Sequence, residues 1–270
     1  LLNKLSTMNN IIDLAQARVN RSTLKIQIIR SEKRAGGSYP FLAAATDGHD
    51  YWCKAINNPQ GPEVPVNEVA AAIVGDRIQS PIPRWAMLDV PDDLRGWYFE
   101  EGDYILTGEP VFGSQVVHTS DVYSLDDTDV LAHVADDSNY NRIPKLYAHW
   151  LLCNAEDIQV MYDYGNDHSI TSIDHGFWFG SHEQAWGFGC HTQKAGRPSL
   201  PAIQEEIPRD QWDLAIKSLE ALDDTLFDDF KKTIPESWNV EKNILKKIAS
   251  YVLERKDYTI EQLQGWQCQI

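Results

Sequence analysis

The sequence predicts an α+β chain of two lobes, a small β-rich one followed by a mostly helical one. Three observations carry this expectation. Residues 24–56 hold three short apolar stretches separated by turn signals, residues 66–79 repeat with helical period, and residues 209–266 are largely helical in pattern. At 270 residues the chain is long enough to bury a substantial core in two such lobes.

Taken in order, Leu5, Met8, Ile11, Ile12, Ala15 and Val19 predict a short helix over residues 3–19. Leu24–Ile29 alternates like a strand, and the Ala-Gly-Gly-Ser run at 35–38 breaks it. Pro40–Ala45 reads as a second strand, Asp47-Gly48 as a hairpin turn, and Asp50–Ile56 as a third strand. Val66, Val69, Ala70, Ile73, Val74 and Ile78 predict an amphipathic helix that Pro81 and Pro83 end. Residues 82–90 and 96–106 read as further sheet segments and close a lobe over 1–106. The second lobe, 107–270, opens with a loop-rich acidic stretch to about residue 143. Leu146, Tyr147, Trp150 and Leu151 then mark a helix over 143–152. Asn154–Gln159, Val160-Met-Tyr162 and a turn at 163–167 lead to a strand ending at Asp174. Residues 180–208 are irregular, and helices are expected over 209–232, 239–254 and 259–266.

Composition excludes several classes. The net charge of −16 opposes a broad DNA or RNA surface, although a local lysine, backbone amides and cations can still hold a small phosphate. Cys53, Cys153, Cys190 and Cys268 are widely spaced, against both a zinc ribbon and a disulfide-stapled secreted fold. No apolar run is long enough for a membrane span and no leader pattern opens the chain, so a cytoplasmic setting is expected. Of His118, His133, His149, His168, His175, His182 and His191, no two fall closer than seven residues, which disfavours a histidine metal site. Ser114, in Phe112-Gly-Ser-Gln115, lacks the flanking glycines of a nucleophile elbow.

Four features carry chemistry. Gly36-Gly37 sits between two strands, where glycines let backbone amides approach a phosphate. Lys54 lies in an apolar strand and needs a counter-charge, unless its ammonium snorkels from a sheet edge. Glu68 begins the next helix and can supply that charge, or can serve as a first-turn acid with Asn67 as its capping partner. Asp174 stands at the end of a strand, about twenty residues after the start of the polar segment 154–159, and a glycine follows it at 176. Each alone has an ordinary explanation as a turn, cap or surface charge. Their order, strand-Gly-strand-Lys-helix-Glu and then helix-loop-strand-Asp, describes a protein-kinase-like two-lobed fold.

Asp47-Gly-His-Asp-Tyr-Trp-Cys-Lys54, Asn57-Asn-Pro-Gln-Gly61, Asn67-Glu68, Pro81-Ile-Pro83 and Ile173-Asp-His-Gly176 together resemble the HipA-like kinase domain of bacteria, a divergent relative of protein kinases and phosphatidylinositol kinases. The resemblance covers about residues 25–180. It implies ATP and Mg²⁺ as cofactors and a Ser or Thr of a protein as acceptor. Lys54 would contact the α- and β-phosphates, Glu68 would hold Lys54, and Asp174 would ligate the metal. Gly36, Gly37 and Ser38 would cover the phosphates, with adenine between the lobes near Tyr104 and Leu106. The catalytic loop departs from the family pattern. Aligning Asn154 puts Glu156 at the expected catalytic Asp, with Asp157 beside it as the favoured base. The later metal-binding Asn falls on Met161, a soft donor, so Gln159 or Asp163 would have to substitute. The same departures fit a nucleotide-binding pseudokinase with a regulatory role. Neither the acceptor nor the oligomeric state is encoded in any motif.

Overall fold

The computed structural model describes residues 24–33, 37–124, 130–131, 134–135, 137–181, 185–186 and 200–268. The helix expected over 3–19 and Gly36 lie outside the described residues. The first lobe is a five-stranded antiparallel sheet with strand order β1-β2-β3-β7-β4. Its strands are β1 (Ile26–Glu32), β2 (Phe41–Ala45), β3 (Asp50–Lys54), β4 (Trp85–Leu88) and β7 (Val111–Gln115). Asp47 and Gly48 make the β2–β3 hairpin, with Gly48 at φ 82° and the Asp47 carboxylate accepting from the His49 amide at 3.1 Å. The short ribbon β5 (Tyr98–Phe99) and β6 (Tyr104–Ile105) caps one end.

β7 corrects the expected lobe boundary. It lies beyond residue 106 yet is hydrogen-bonded between β3 and β4, so the sheet ends at Gln115. Phe-Gly-Ser reads as a loop by composition, but glycine is required there. A Cβ on Gly113 would sit 2.8 Å from Leu88 Cδ1 and 3.2 Å from Tyr51 Cδ1.

Helix α1 (Glu63–Ile78) is not the one-sided helix its period suggests. Thirteen of its sixteen residues are buried, because the sheet covers one face and the second lobe the other. Gln79 ends it in the left-handed conformation, φ 57°, ahead of Pro81. Arg77, near its end, donates to Asp229 (2.9 Å), Asp223 (3.0 Å), Thr225 (2.7 Å) and the Ala221 carbonyl (3.1 Å).

The second lobe contains helix α2 (Ile143–Leu152), where the sequence placed it, and a three-stranded sheet ordered β10-β9-β8. Those strands are β8 (Ser120–Ser124), β9 (Gln159–Asp163) and β10 (Ser169–Ile173). β8 falls in the stretch expected to be loop-rich. The C-terminal helices are α3 (Arg209–Ser218), α4 (Leu226–Thr233), α5 (Lys242–Glu254) and α6 (Lys256–Gln267). Tyr147 on α2 packs edge-on against Trp212 of α3 and Trp266 of α6, and anchors them to the lobe core. The architecture is therefore mixed α and β, β-rich at first and helical at the end.

Candidate active site

Between the lobes lies a cleft of about 450 Å³. β3 supplies its roof by strand alternation. Tyr51 and Cys53 point into the first lobe's own core, while Trp52 and Lys54 face the cleft. Lys54 is nearly buried, with 10% of its side chain exposed. Its ammonium donates to the Glu68 carboxylate of α1 and to Asp174 Oδ1 at 2.6 Å. The lysine therefore needs no snorkelling.

One ammonium facing two carboxylates sets the electrostatics. Burial works against the Lys54 charge, but Asp174 and Glu68 outweigh it and hold its pKa above the ordinary lysine value. Burial also opposes ionisation of Asp174, yet Lys54 holds that carboxyl below its usual range. Glu68 is the more deeply buried acid and shares its cation, so burial raises its pKa in spite of Lys54. His175 Nδ1 lies 3.4 Å from Glu68, and burial pushes the His175 pKa down to about 3, so the ring is neutral at pH 7. His149, 5.8 Å away between ring centroids, is pushed to about 3 for the same reason.

Asp174 adopts the left-handed conformation, φ 58°, immediately after β10. Gly176 follows because a Cβ there would meet Val64 Cγ1 of α1 at 2.8 Å. Asn67 is not a capping residue. It is fully buried on α1, where it donates to the Gly176 carbonyl (2.8 Å), the Trp178 carbonyl (3.2 Å) and Ser181 Oγ (3.0 Å). It also accepts from Trp186 Nε1 at 3.2 Å. Helix α1 thus presents Glu68 to Lys54 and, one residue earlier, clasps the chain leaving Asp174.

The ladder between β10 and β9 pairs Ile173 with Gln159, which brings Gln159 to the cleft beside Asp174. Both offer hard oxygen donors. Among the described residues no cluster of three or more His, Cys, Asp or Glu side chains forms a metal cage. A pair of protein oxygens completed by water and phosphates is the usual environment of Mg²⁺, so these residues fit that ion. Asp163 is not available to it, since its Oδ1 accepts from Thr119 (3.0 Å) and from the Gly165 amide (2.9 Å) at the far end of β9.

The segment 154–157 is less convergent. Asp157 is exposed at φ 52° and accepts from Gln159 Nε2 at 3.3 Å. Glu156 lies near Tyr251 of α5 and its Oε2 is buried with no hydrogen bond. Neither side chain lines the cleft.

Other expectations shift. Gly37 and Ser38 lie in the β1–β2 turn, but Lys33 and Pro40 at its ends form the cleft wall. Tyr104 and Leu106 belong to the first lobe's core, where Tyr104 stacks on Phe99 at 4.7 Å and donates to the Tyr39 carbonyl at 3.0 Å. The apolar lining comes from Trp52, Trp85, Phe112, Val116, Val117 and Met161. Met161 is thus a wall of the cleft, which its place in β9 explains.

The family model described as HipA-like kinase matches residues 26–136, which bears out the resemblance over the first lobe and the start of the second. No curated protein matches the chain. Among solved structures, the proinflammatory kinase CtkA of Helicobacter pylori aligns with a TM-score of 0.56 at 9% identity, covering 88% of this chain and 96% of that one. Golgi casein kinase aligns at a TM-score of 0.42 and 9% identity, covering 93% of this chain and 75% of that one. Its Mn/ADP-bound form aligns at 0.39 and 12% identity, covering 89% and 75%. The Golgi kinase likenesses are too distant to bear on this chain. The CtkA alignment shows that the fold is protein-kinase-like.

Proposed function

We propose that this chain is an ATP- and Mg²⁺-dependent phosphotransferase acting on a Ser or Thr hydroxyl of a protein. The observation that carries this reading is Lys54, held between Glu68 and Asp174 at the wall of a largely apolar cleft. In this reading Lys54 binds the α- and β-phosphates and Glu68 keeps its ammonium in place. Asp174 and Gln159 hold Mg²⁺, which when bound neutralises charge on the transferring phosphoryl group. Gly37 and Ser38, in the turn between β1 and β2, cover the phosphates. Asp157 orients the acceptor hydroxyl; its exposure and its bond to Gln159 favour it over Glu156, which faces Tyr251. The catalytic demand is positioning and charge neutralisation, so an acidic surface raises no conflict.

A cytoplasmic site of action belongs to the same reading. Cys53, Cys153 and Cys268 are free, and no described helix is long and apolar enough to cross a membrane. A second reading, a nucleotide-binding pseudokinase, draws support from the absence of Glu156 and Asp157 from the cleft lining.

The deciding measurement is thermal stabilisation by ATP with and without Mg²⁺, followed by γ-phosphate transfer to the chain itself and to protein acceptors. Stabilisation and transfer that are both lost in Lys54→Ala and Asp174→Asn support the kinase. Nucleotide binding without transfer to any acceptor supports the pseudokinase. No stabilisation under either condition excludes both.

A further inference from the structure

We infer that a second cavity, in the helical lobe, is a docking site for an arginine-bearing segment of a partner protein. The cavity holds about 430 Å³ and shares no lining residue with the cleft, so its chemistry is independent of the nucleotide site. It is lined by residues 203–207, which lead into α3, by Trp212 of α3 and by Trp266 of α6. The two indoles stack at 6.0 Å with their planes 19° apart. Trp212 is 1% exposed, and its Nε1–H has no acceptor. A buried indole N–H normally finds one. Trp150 donates to Ser172 Oγ at 3.1 Å and Trp238 to the Pro110 carbonyl at 2.7 Å. Trp178 is also unpaired, but it lines neither cavity. At Trp212 the cavity leaves room for an acceptor to arrive.

Charge narrows the class of ligand. Glu205 and Glu206 line the same cavity and are exposed, and among the described lining residues there is no Lys or Arg. The Ala135 amide donates to Glu205 Oε2 at 3.2 Å and steadies that carboxylate. Residues 205–229 hold nine acidic side chains against two basic ones, so the surroundings attract a cation. Trp266 is half-buried and offers an aromatic face on which a guanidinium stacks. The same guanidinium pairs with carboxylates through parallel N–H bonds. A cation alone leaves Trp212 Nε1 unpaired, while a phosphate able to accept from it is repelled by the two glutamates. An arginine within a peptide meets both demands. Its guanidinium serves the glutamates, and a main-chain carbonyl beside it accepts from the indole N–H.

The test is a titration of the full chain with the acetylated, amidated peptide Gly-Ser-Arg-Ser-Arg-Ser-Gly, followed through the indole N–H signals of a proton–nitrogen correlation spectrum. The same peptide with neutral citrulline for arginine, and free arginine, are the comparisons. The expected result is a downfield move of the Trp212 indole signal, identified by its loss in Trp212→Phe, with the arginine peptide binding tightest of the three. Trp212→Phe should weaken that peptide about fivefold, the share of one hydrogen bond. Glu205→Gln with Glu206→Gln should weaken it about two- to fivefold per charge removed. Both are surface positions, so this variant tests the site even if Trp212→Phe fails to fold. No signal moving at up to about 5 mM peptide overturns the inference. So does a Trp212 signal that stays in place while others move, or a citrulline peptide that binds equally well. Unchanged affinity in the glutamate variant overturns it too, and free arginine binding as tightly as the peptide rules out a protein segment as the ligand.

Discussion

Replacing Lys54 by Met removes the ammonium shared by Glu68 and Asp174 while keeping a long apolar stem. Asp174 and Glu68 are then left without their shared cation. Asp174, 40% exposed, can rehydrate, whereas Glu68, 3% exposed, cannot. The cheapest response open to the variant is to protonate Glu68. From an ordinary carboxyl pKa of about 4.3, holding that proton costs about 1.36 kcal/mol per pH unit, hence roughly 4 kcal/mol at about pH 7.5 and about 1.6 kcal/mol at about pH 5.5. The higher figure falls within the roughly 3–5 kcal/mol that orphaning a buried charge costs. Because burial already raises the Glu68 pKa in wild type, this figure is an upper bound: relative to wild type, Lys54→Met should lose up to about 4 kcal/mol at about pH 7.5 and less at about pH 5.5. Urea unfolding of both proteins at the two pH values measures this. Adding Glu68→Gln, which keeps the shape without the charge, should abolish the pH dependence of the difference. A penalty that does not change with pH, or one under about 1 kcal/mol at the higher pH, would refute the assignment of the cost to Glu68.

Three further outcomes follow from the geometry. His149 and His175 have folded pKa values pushed down by burial to about 3, while unfolded histidine titrates near 6.5, so the unfolded chain binds more protons between those values. Their contribution is present above about pH 6.5 and lost as pH falls, roughly 2 kcal/mol each between about pH 7 and 5; His149→Gln should flatten the dependence of Tm on pH. Gly176→Ala should cost about 1–3 kcal/mol by driving a methyl into Val64, read as a lower urea midpoint. Arg77→Ala should cost about 1–2 kcal/mol, a moderate loss because Asp223 and Asp229 are 63% and 46% exposed, and calorimetric unfolding should show it as a lower Tm.

The residues most legible in the sequence were those that polarity makes conspicuous. A lysine inside Tyr-Trp-Cys-Lys-Ala-Ile demands a partner, and the structure supplies two. Asp174 stood out as an acid at a strand exit. Asn67 did not, because an Asn in the N-terminal half of a helix suggests a cap; only tertiary structure shows that its amide reaches Gly176, Trp178, Ser181 and Trp186. The cleft walls were equally hidden, since Trp52, Trp85 and Met161 look like any core side chains until strand order decides which face they take. Tyr104 and Leu106 are placed near the adenine by the family resemblance alone, yet the β5–β6 ribbon folds them into the first lobe. β7 was missed because its Gly-Ser composition reflects close strand contact and not a turn.

The burial of α1 on all sides also bears on how the molecule comes apart. Val66 to Ile78, with Trp85 and Phe112, belong to the same continuous core as Trp150, Trp212 and Phe230, while the remaining core of the first lobe is small. The two lobes therefore hold one hydrophobic interior in common. A fragment cut at residue 106 would lose β7 from between β3 and β4 and leave the far face of α1 bare to water. The chain should lose its structure in a single cooperative transition, with the triad around Lys54 surviving as long as the interior does and no longer.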